Sequence, residues 1–291
     1  MPTSFTTLIS ATQLKALLSG GAPLMVFDCS FDLMNPHAGP QMFEQVHIPG
    51  AVYANLDTAL SAKGAHYPDG AASGGRHPLP TRENFAKWLG SVGFDNTMQA
   101  MVYDRQGANY CGRLWWMLKW LGHAQVAVLD GGLQAWQAAG GDVEGGPTAQ
   151  RPAVPFALSE PLVKLVDATH VLQHIGSVTQ HVIDARGTPR FKGEVEPIDP
   201  VAGHIPGALN RPFTQNIGAD GLFKPADVLR AEFEALLGSR DAADVVHQCG
   251  SGVSAVPNLL AMEVAGLGLS ALYAGSWSDW CSDRSRPVAQ G

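Results

Sequence analysis

The sequence predicts an α/β protein of two similar domains, each a parallel sheet flanked by helices. Three observations carry this prediction. The pentapeptide His-Ile-Pro-Gly-Ala occurs twice, at residues 47–51 and 204–208, in matching surroundings. Short apolar runs alternate with stretches of helical periodicity through both halves, the pattern of strand–helix units on a parallel sheet. Between the halves, residues 141–155 hold Gly141, Gly145, Gly146, Pro147, Pro152 and Pro155 and few apolar residues, which is linker composition.

The elements follow in the same order twice, as an internal repeat requires. About twenty residues before each pentapeptide lies an apolar run ending in aspartate, Leu-Met-Val-Phe-Asp at 24–28 and His-Val-Ile-Asp at 181–184. A second apolar run comes after each copy, at 100–104 and 244–248, and then a Gly-x-x-x-x-Trp segment at 131–136 and 275–280. Helical patterns are expected over 12–18, 82–92, 113–121, 228–237 and 254–265. The expected boundaries are a first domain over 1–140, a linker over 141–155 and a second domain over 156–291.

Composition removes several classes of function. The 291 residues carry 19 Lys+Arg against 26 Asp+Glu, a net charge of −7, with no basic run to track a phosphate backbone. Nucleic acid is therefore not an expected partner. The most apolar stretch, 253–274, is broken by Pro257, Asn258, Glu263, Gly266 and Gly268, so no membrane span is expected. The N-terminal residues lack a basic region followed by an apolar one, so no secretory leader is expected. The four cysteines, at 29, 111, 249 and 281, form no Cys-x-x-Cys pair, which argues against a zinc ribbon and a disulfide framework. Reduced thiols in a cytoplasmic protein are the reading that fits.

In parallel sheets ligands bind beyond the carboxyl ends of strands, which directs attention to the loops after 100–104 and 244–248. The second begins Cys249-Gly250-Ser251-Gly252-Val253-Ser254 and leads into a predicted helix. Two glycines let its backbone N–H groups curl around the sulfur at a helix N-terminus, an environment that favours a thiolate. Ala255 stands where a cysteine phosphatase needs a phosphate-clamping arginine, which disfavours phosphatase chemistry. His247 would share a strand face with Cys249, but a core histidine is the simpler reading. In the first half Asp104 holds the position of Cys249, so only the second domain carries the nucleophile.

These residues resemble a family. The paired Asp28 and Asp184, the two His-Ile-Pro-Gly-Ala copies with Phe43 before the first, Leu129-Asp130-Gly131-Gly132-Leu133 and the stretch from Leu272 to Trp280 are similar to tandem rhodanese-type sulfurtransferases over nearly the whole chain. The fold implied is two rhodanese-like domains. The loop from Cys249 to Ala255 resembles that of 3-mercaptopyruvate sulfurtransferases, Ser254 aside; thiosulfate-preferring members usually carry Arg and Lys after the cysteine. An uncharged loop suits a donor with a neutral sulfur end better than it suits a dianion.

The resemblance implies Cys249 as nucleophile, the loop residues Gly250, Gly252, Val253 and Ser254 as substrate-binding, and Ser251, His77 and Asp57 as a proton relay. It implies a carboxylate clamp of two arginines, of which Arg190 matches the first. Glu196-Pro197-Ile198 departs at the second, and Arg211 or, if its segment is extended, Lys192 is the available cation, with Arg211 favoured for its planar guanidinium. The expected reaction moves sulfur from mercaptopyruvate through a Cys249 persulfide to a thiol or cyanide, the thiol being small or on a thioredoxin-like protein. No metal or organic cofactor is called for. Thiosulfate as donor stays open, as does a non-catalytic binding module.

Overall fold

The computed structural model describes residues 4–63 and 70–291. The chain forms two compact units, one of Met1–Gly70 with Pro80–Leu162, the other of Ala71–Leu79 with Val163–Gly291. The second unit thus takes in a nine-residue segment from the first half of the sequence.

The first unit contains β1 (Leu8–Ile9), α1 (Ala11–Ser19), β2 (Leu24–Asp28), α2 (Ala38–Gln45), β3 (Val52–Tyr53), α3 (Arg82–Ser91), β4 (Gln99–Tyr103), α4 (Cys111–Trp120), β5 (Val126–Leu129) and α5 (Gly132–Ala138). Its strands are all parallel, in the order β1-β5-β4-β2-β3. The second unit contains β6 (Lys164–Val166), α6 (Ala168–Gln173), β7 (His181–Asp184), α7 (Thr188–Lys192), β8 (Leu209–Asn210), α8 (Ala226–Leu237), β9 (Val245–Gln248), α9 (Val256–Val264), β10 (Ala271–Tyr273) and α10 (Ser276–Trp280). Its order, β6-β10-β9-β7-β8, repeats the first strand for strand and is again wholly parallel. The two-domain α/β architecture of parallel sheets is the one the sequence repeat predicts.

Local chemistry explains the elements. The central strands β4 and β9 are buried at every residue, as parallel strands covered on both faces must be. Ser10 and Gln13 close a capping box at the start of α1, and the Thr81 and Asp167 side chains accept from the Asn84 and His170 N–H groups to start α3 and α6. Two expectations shift. Helix α9 begins at Val256 rather than 254, with Pro257 in its first turn, so the loop after Cys249 keeps two more residues. The segment bearing Arg190 and Lys192 is the helix α7, not extended chain, and Lys192 is exposed.

The repeated pentapeptide is a fold device. His47 stacks on Phe43 at 3.9 Å and its Nδ1 lies 2.7 Å from the Phe43 carbonyl; His204 stacks on Phe191 at 3.8 Å with Nδ1 2.8 Å from the Phe191 carbonyl. Each Pro-Gly then turns the chain, the Ala51 and Ala208 N–H groups bonding back to Ile48 and Ile205. Gly50 and Gly207 take the positive φ that such a turn needs, +73° and +80°. Residues 141–155 form no regular element beyond a bridge between Glu144 and His47.

Candidate active site

Cys249 follows the last residue of β9, at the carboxyl edge of the second sheet, and is buried. Two contacts hold its backbone. Its N–H donates to the Ser276 hydroxyl at 3.0 Å, which in turn donates to the Tyr273 carbonyl, and its own carbonyl accepts from the Trp277 N–H at 3.0 Å. Ser276 has φ +54°, unusual for a residue with a side chain, and that conformation brings its hydroxyl under the cysteine.

The loop beyond curls tightly. Gly252 has φ +71°, and a Cβ there would sit 2.1 Å from the Ala274 carbonyl oxygen, so only glycine fits. Among the described residues, the N–H groups of Gly250, Ser251, Val253 and Ser254 meet no acceptor. All but Ser254 belong to buried residues. Buried amides are almost always bonded, so a run of unused donors is a cradle for negative charge.

Ser251 and His77 are brought together. The Ser251 hydroxyl lies 2.7 Å from His77 Nδ1, and both residues are buried. His77 reaches this position because Ala71–Leu79 packs within the second unit. Gly75, at φ +85°, lies so close to the Gly275 carbonyl that a Cβ would approach it to 2.4 Å, and the Arg76 N–H donates to the Ser278 hydroxyl at 2.9 Å. Asp57 belongs to the first unit, where its carboxylate pairs with Lys63 at 2.8 Å.

A chain of alternating charges runs through the second unit. Asp184, ending β7, pairs with Arg186, which also reaches Glu196 at 3.4 Å. Glu196 holds Arg190 through Nε and Nη2 at 2.7 to 3.1 Å, and Asp199 bridges Arg190 and Arg76 at 3.0 and 2.6 Å. Ile198, at the position of the second clamp arginine, gives its backbone N–H to Glu196. Burial pushes the Glu196 carboxyl up, but hydrogen bonds from Arg190 and the Asp199 and Ile198 N–H groups outweigh it and hold the group below its ordinary range.

Arg211 is committed to other partners. It is buried, donates to Glu232 at 2.8 Å and to Asn216 Oδ1 at 3.1 Å, and stacks over Phe233 at 4.2 Å. These contacts engage its Nε and Nη2 in an ion pair with Glu232 and in bonds to Asn216. His247 is a core histidine: burial, and then the nearby Arg211 charge, push it down to about 3, and its Nε2 meets Met262 Sδ. Arg76, Asp199 and Ser276 were not legible in the sequence as site residues. Only the density of glycine around Arg76, at Gly74 and Gly75, marked a close backbone approach.

The first unit shows what such a loop does with an anion. Asp104 stands at the position of Cys249, and its carboxylate accepts from the N–H groups of Gln106, Ala108, Tyr110 and Cys111 at 2.8 to 3.1 Å. The cradle is filled by the protein's own side chain. Cys29 and Cys111 lie buried nearby, and burial, followed by the charges of Asp28 and Asp104, pushes both thiols well above their ordinary value. Neither is a ready nucleophile.

Comparison with known proteins agrees with this architecture. The rhodanese-like domain model matches residues 10–139 and again 167–283. The chain is 45% identical over 285 residues to a Pseudomonas aeruginosa protein named "probable 3-mercaptopyruvate sulfurtransferase", covering 98% of each. It is 31% identical to thiosulfate/3-mercaptopyruvate sulfurtransferase 1, mitochondrial, of Arabidopsis thaliana, covering 91% of this chain and 73% of that one. Among solved structures, SseA from Escherichia coli, described with the 3-mercaptopyruvate sulfotransferases, superposes with a TM-score of 0.78 at 29% identity, over 94% of this chain and all of that one. The chain belongs to the rhodanese-like family, as a tandem member with two rhodanese-like domains and the company of sulfurtransferase relatives.

Proposed function

We propose that the chain transfers sulfur from 3-mercaptopyruvate through a persulfide on Cys249. The observation that carries this reading is the loop after β9, where a cysteine is followed by a tight turn of mostly buried N–H groups without acceptors, while the corresponding loop of the first unit closes on a carboxylate. In the first half-reaction the Cys249 thiolate attacks the donor sulfur. The donor C–S bond breaks and its electron pair goes to carbon, leaving the enolate of pyruvate. The donor's thiol proton is delivered to that carbon through Ser251 and His77, a role their 2.7 Å contact supports. Sulfur remains on Cys249 as a persulfide anion held by loop N–H groups. A thiolate or cyanide acceptor then attacks the outer sulfur, and the S–S bond breaks to return the Cys249 thiolate. Unpaired thiols at all four cysteines suit a reducing, cytoplasmic setting.

The experiment is a single turnover with 3-mercaptopyruvate and no acceptor. One pyruvate should be released per protein, with one sulfur atom added to the peptide bearing Cys249. Sulfur loading by thiosulfate with sulfite release, but none by 3-mercaptopyruvate, would instead assign the alternative donor. No sulfur on Cys249 from either would leave a binding module.

A further inference from the structure

Two guanidinium groups flank the residue that follows the cysteine. A Cβ built on Gly250 would lie 3.2 Å from Arg76 Nη2 and 3.6 Å from Arg190 Nη1. Among the described residues, these two nitrogens donate to nothing. Carboxylates take other nitrogens of each group: Arg76 Nη1 is taken by Asp199 Oδ1, and Arg190 Nε and Nη2 by Glu196 and Asp199 Oδ2. Arg76 Nε is buried with no partner, so this arginine is not satisfied by the protein around it. Both side chains keep a face to solvent, at 23% and 21% exposure, while the carboxylates behind them are at 4% or less. The arrangement presents two directed donors, fixed from behind, beside the amide cradle of Cys249.

The local charges decide what these donors fit. Two arginines are answered by two carboxylates, Glu196 and Asp199, so the loop faces oriented N–H groups with little excess positive charge. A dianion gains from excess charge, whereas a planar monoanionic carboxylate gains from paired, directed donors. Resting on the sulfur-transfer reading, we infer that Arg76 is a specificity-determining residue: together with Arg190 it holds the carboxylate of an α-keto thiol donor beside Gly250. It supplies the second cation that neither Ile198 nor the committed Arg211 provides. Glycine at 250 leaves the room in which the carboxylate meets both groups.

The test compares 3-mercaptopyruvate with mercaptoacetone, the same keto thiol with a methyl group in place of the carboxylate, in wild type, Arg76→Ala and Arg76→Lys. In Arg76→Ala the KM for 3-mercaptopyruvate should rise about tenfold or more with kcat changed far less, while the KM for mercaptoacetone stays at the wild-type value. Inhibition by pyruvate should weaken in parallel, and Arg76→Lys, which keeps charge but not the fork, should fall between. Equal losses on both donors, or on kcat alone, would make Arg76 merely structural and overturn the assignment. So would variants that match wild type on both donors. If Arg76→Ala fails to fold, the same split read in Arg76→Lys decides. A wild-type protein that releases no pyruvate and gains no sulfur on Cys249 fails at the earlier reading. One that transfers sulfur with Arg76 variants indistinguishable from it fails only at this one.

Discussion

The Ser251 hydroxyl and His77 Nδ1 lie 2.7 Å apart, joining the second residue past the cysteine to a histidine some 170 positions earlier in the chain. His77→Ala should therefore slow release of pyruvate from 3-mercaptopyruvate by about 10²- to 10⁴-fold, the range of general acid–base catalysis. Passage of sulfur from a preloaded persulfide to cyanide, which needs no protonated carbon, should change far less. Single-turnover kinetics of the two half-reactions would separate them, and equal slowing of both would remove His77 from the proton path.

Only one of the four thiols should be needed. Cys249→Ser should abolish transfer from every donor, whereas Cys29→Ala, Cys111→Ala and Cys281→Ala should each retain it, since burial pushes those three thiols up. The check is activity together with peptide mass after donor treatment. Sulfur found on Cys111 would contradict the assignment.

Gly252→Ala should damage both stability and rate. The residue sits at φ +71°, and the added methyl would press to 2.1 Å from the Ala274 carbonyl oxygen. Left-handed strain of this kind is worth about 1 to 3 kcal/mol, and relief would move the loop that surrounds Cys249. Urea denaturation should show a lower midpoint, and kcat should fall even where the variant is fully folded. Unchanged kcat would mean that the loop tolerates displacement.

The Glu196 carboxyl gives a pH signature. Its folded-state value is held below the ordinary 4.5, so it stabilises the fold above that pH and loses this contribution as pH falls through its folded value. Glu196→Gln should be less stable than wild type at pH 7 by about 1 to 3 kcal/mol, the scale of a lost charged hydrogen bond. The gap should narrow progressively below pH 4.5. Denaturant melts at neutral and acid pH would measure it, and a gap that does not depend on pH would show that packing, not charge, is lost.

The sequence by itself determined the repeated α/β architecture, because the succession of strands and helices along the chain follows from apolar runs and turns that are local in it. The two His-Ile-Pro-Gly-Ala turns show this, each building the same stack of histidine on a nearby phenylalanine. It also determined the place of Cys249, since a glycine-rich loop between strand and helix is a local feature. No helix among the described residues is long and apolar enough to cross a membrane, as the broken stretch at 253–274 led one to expect. The charged partners of the loop were decided only by tertiary structure. Arg211 is the cation the sequence favours for its planar guanidinium, yet folding buries it against Glu232, and a buried guanidinium is held where its counter-charge lies. Arg76 looked like an ordinary loop residue, yet Gly74 and Gly75 let its segment lie against Gly275 and Asp279, which carries it to Asp199 and Gly250. Arg76 and Asp199 are more than a hundred positions apart and Arg211 and Glu232 are 21 apart, and the physical forces that select such pairings, desolvation and charge compensation, have no period in the sequence to read.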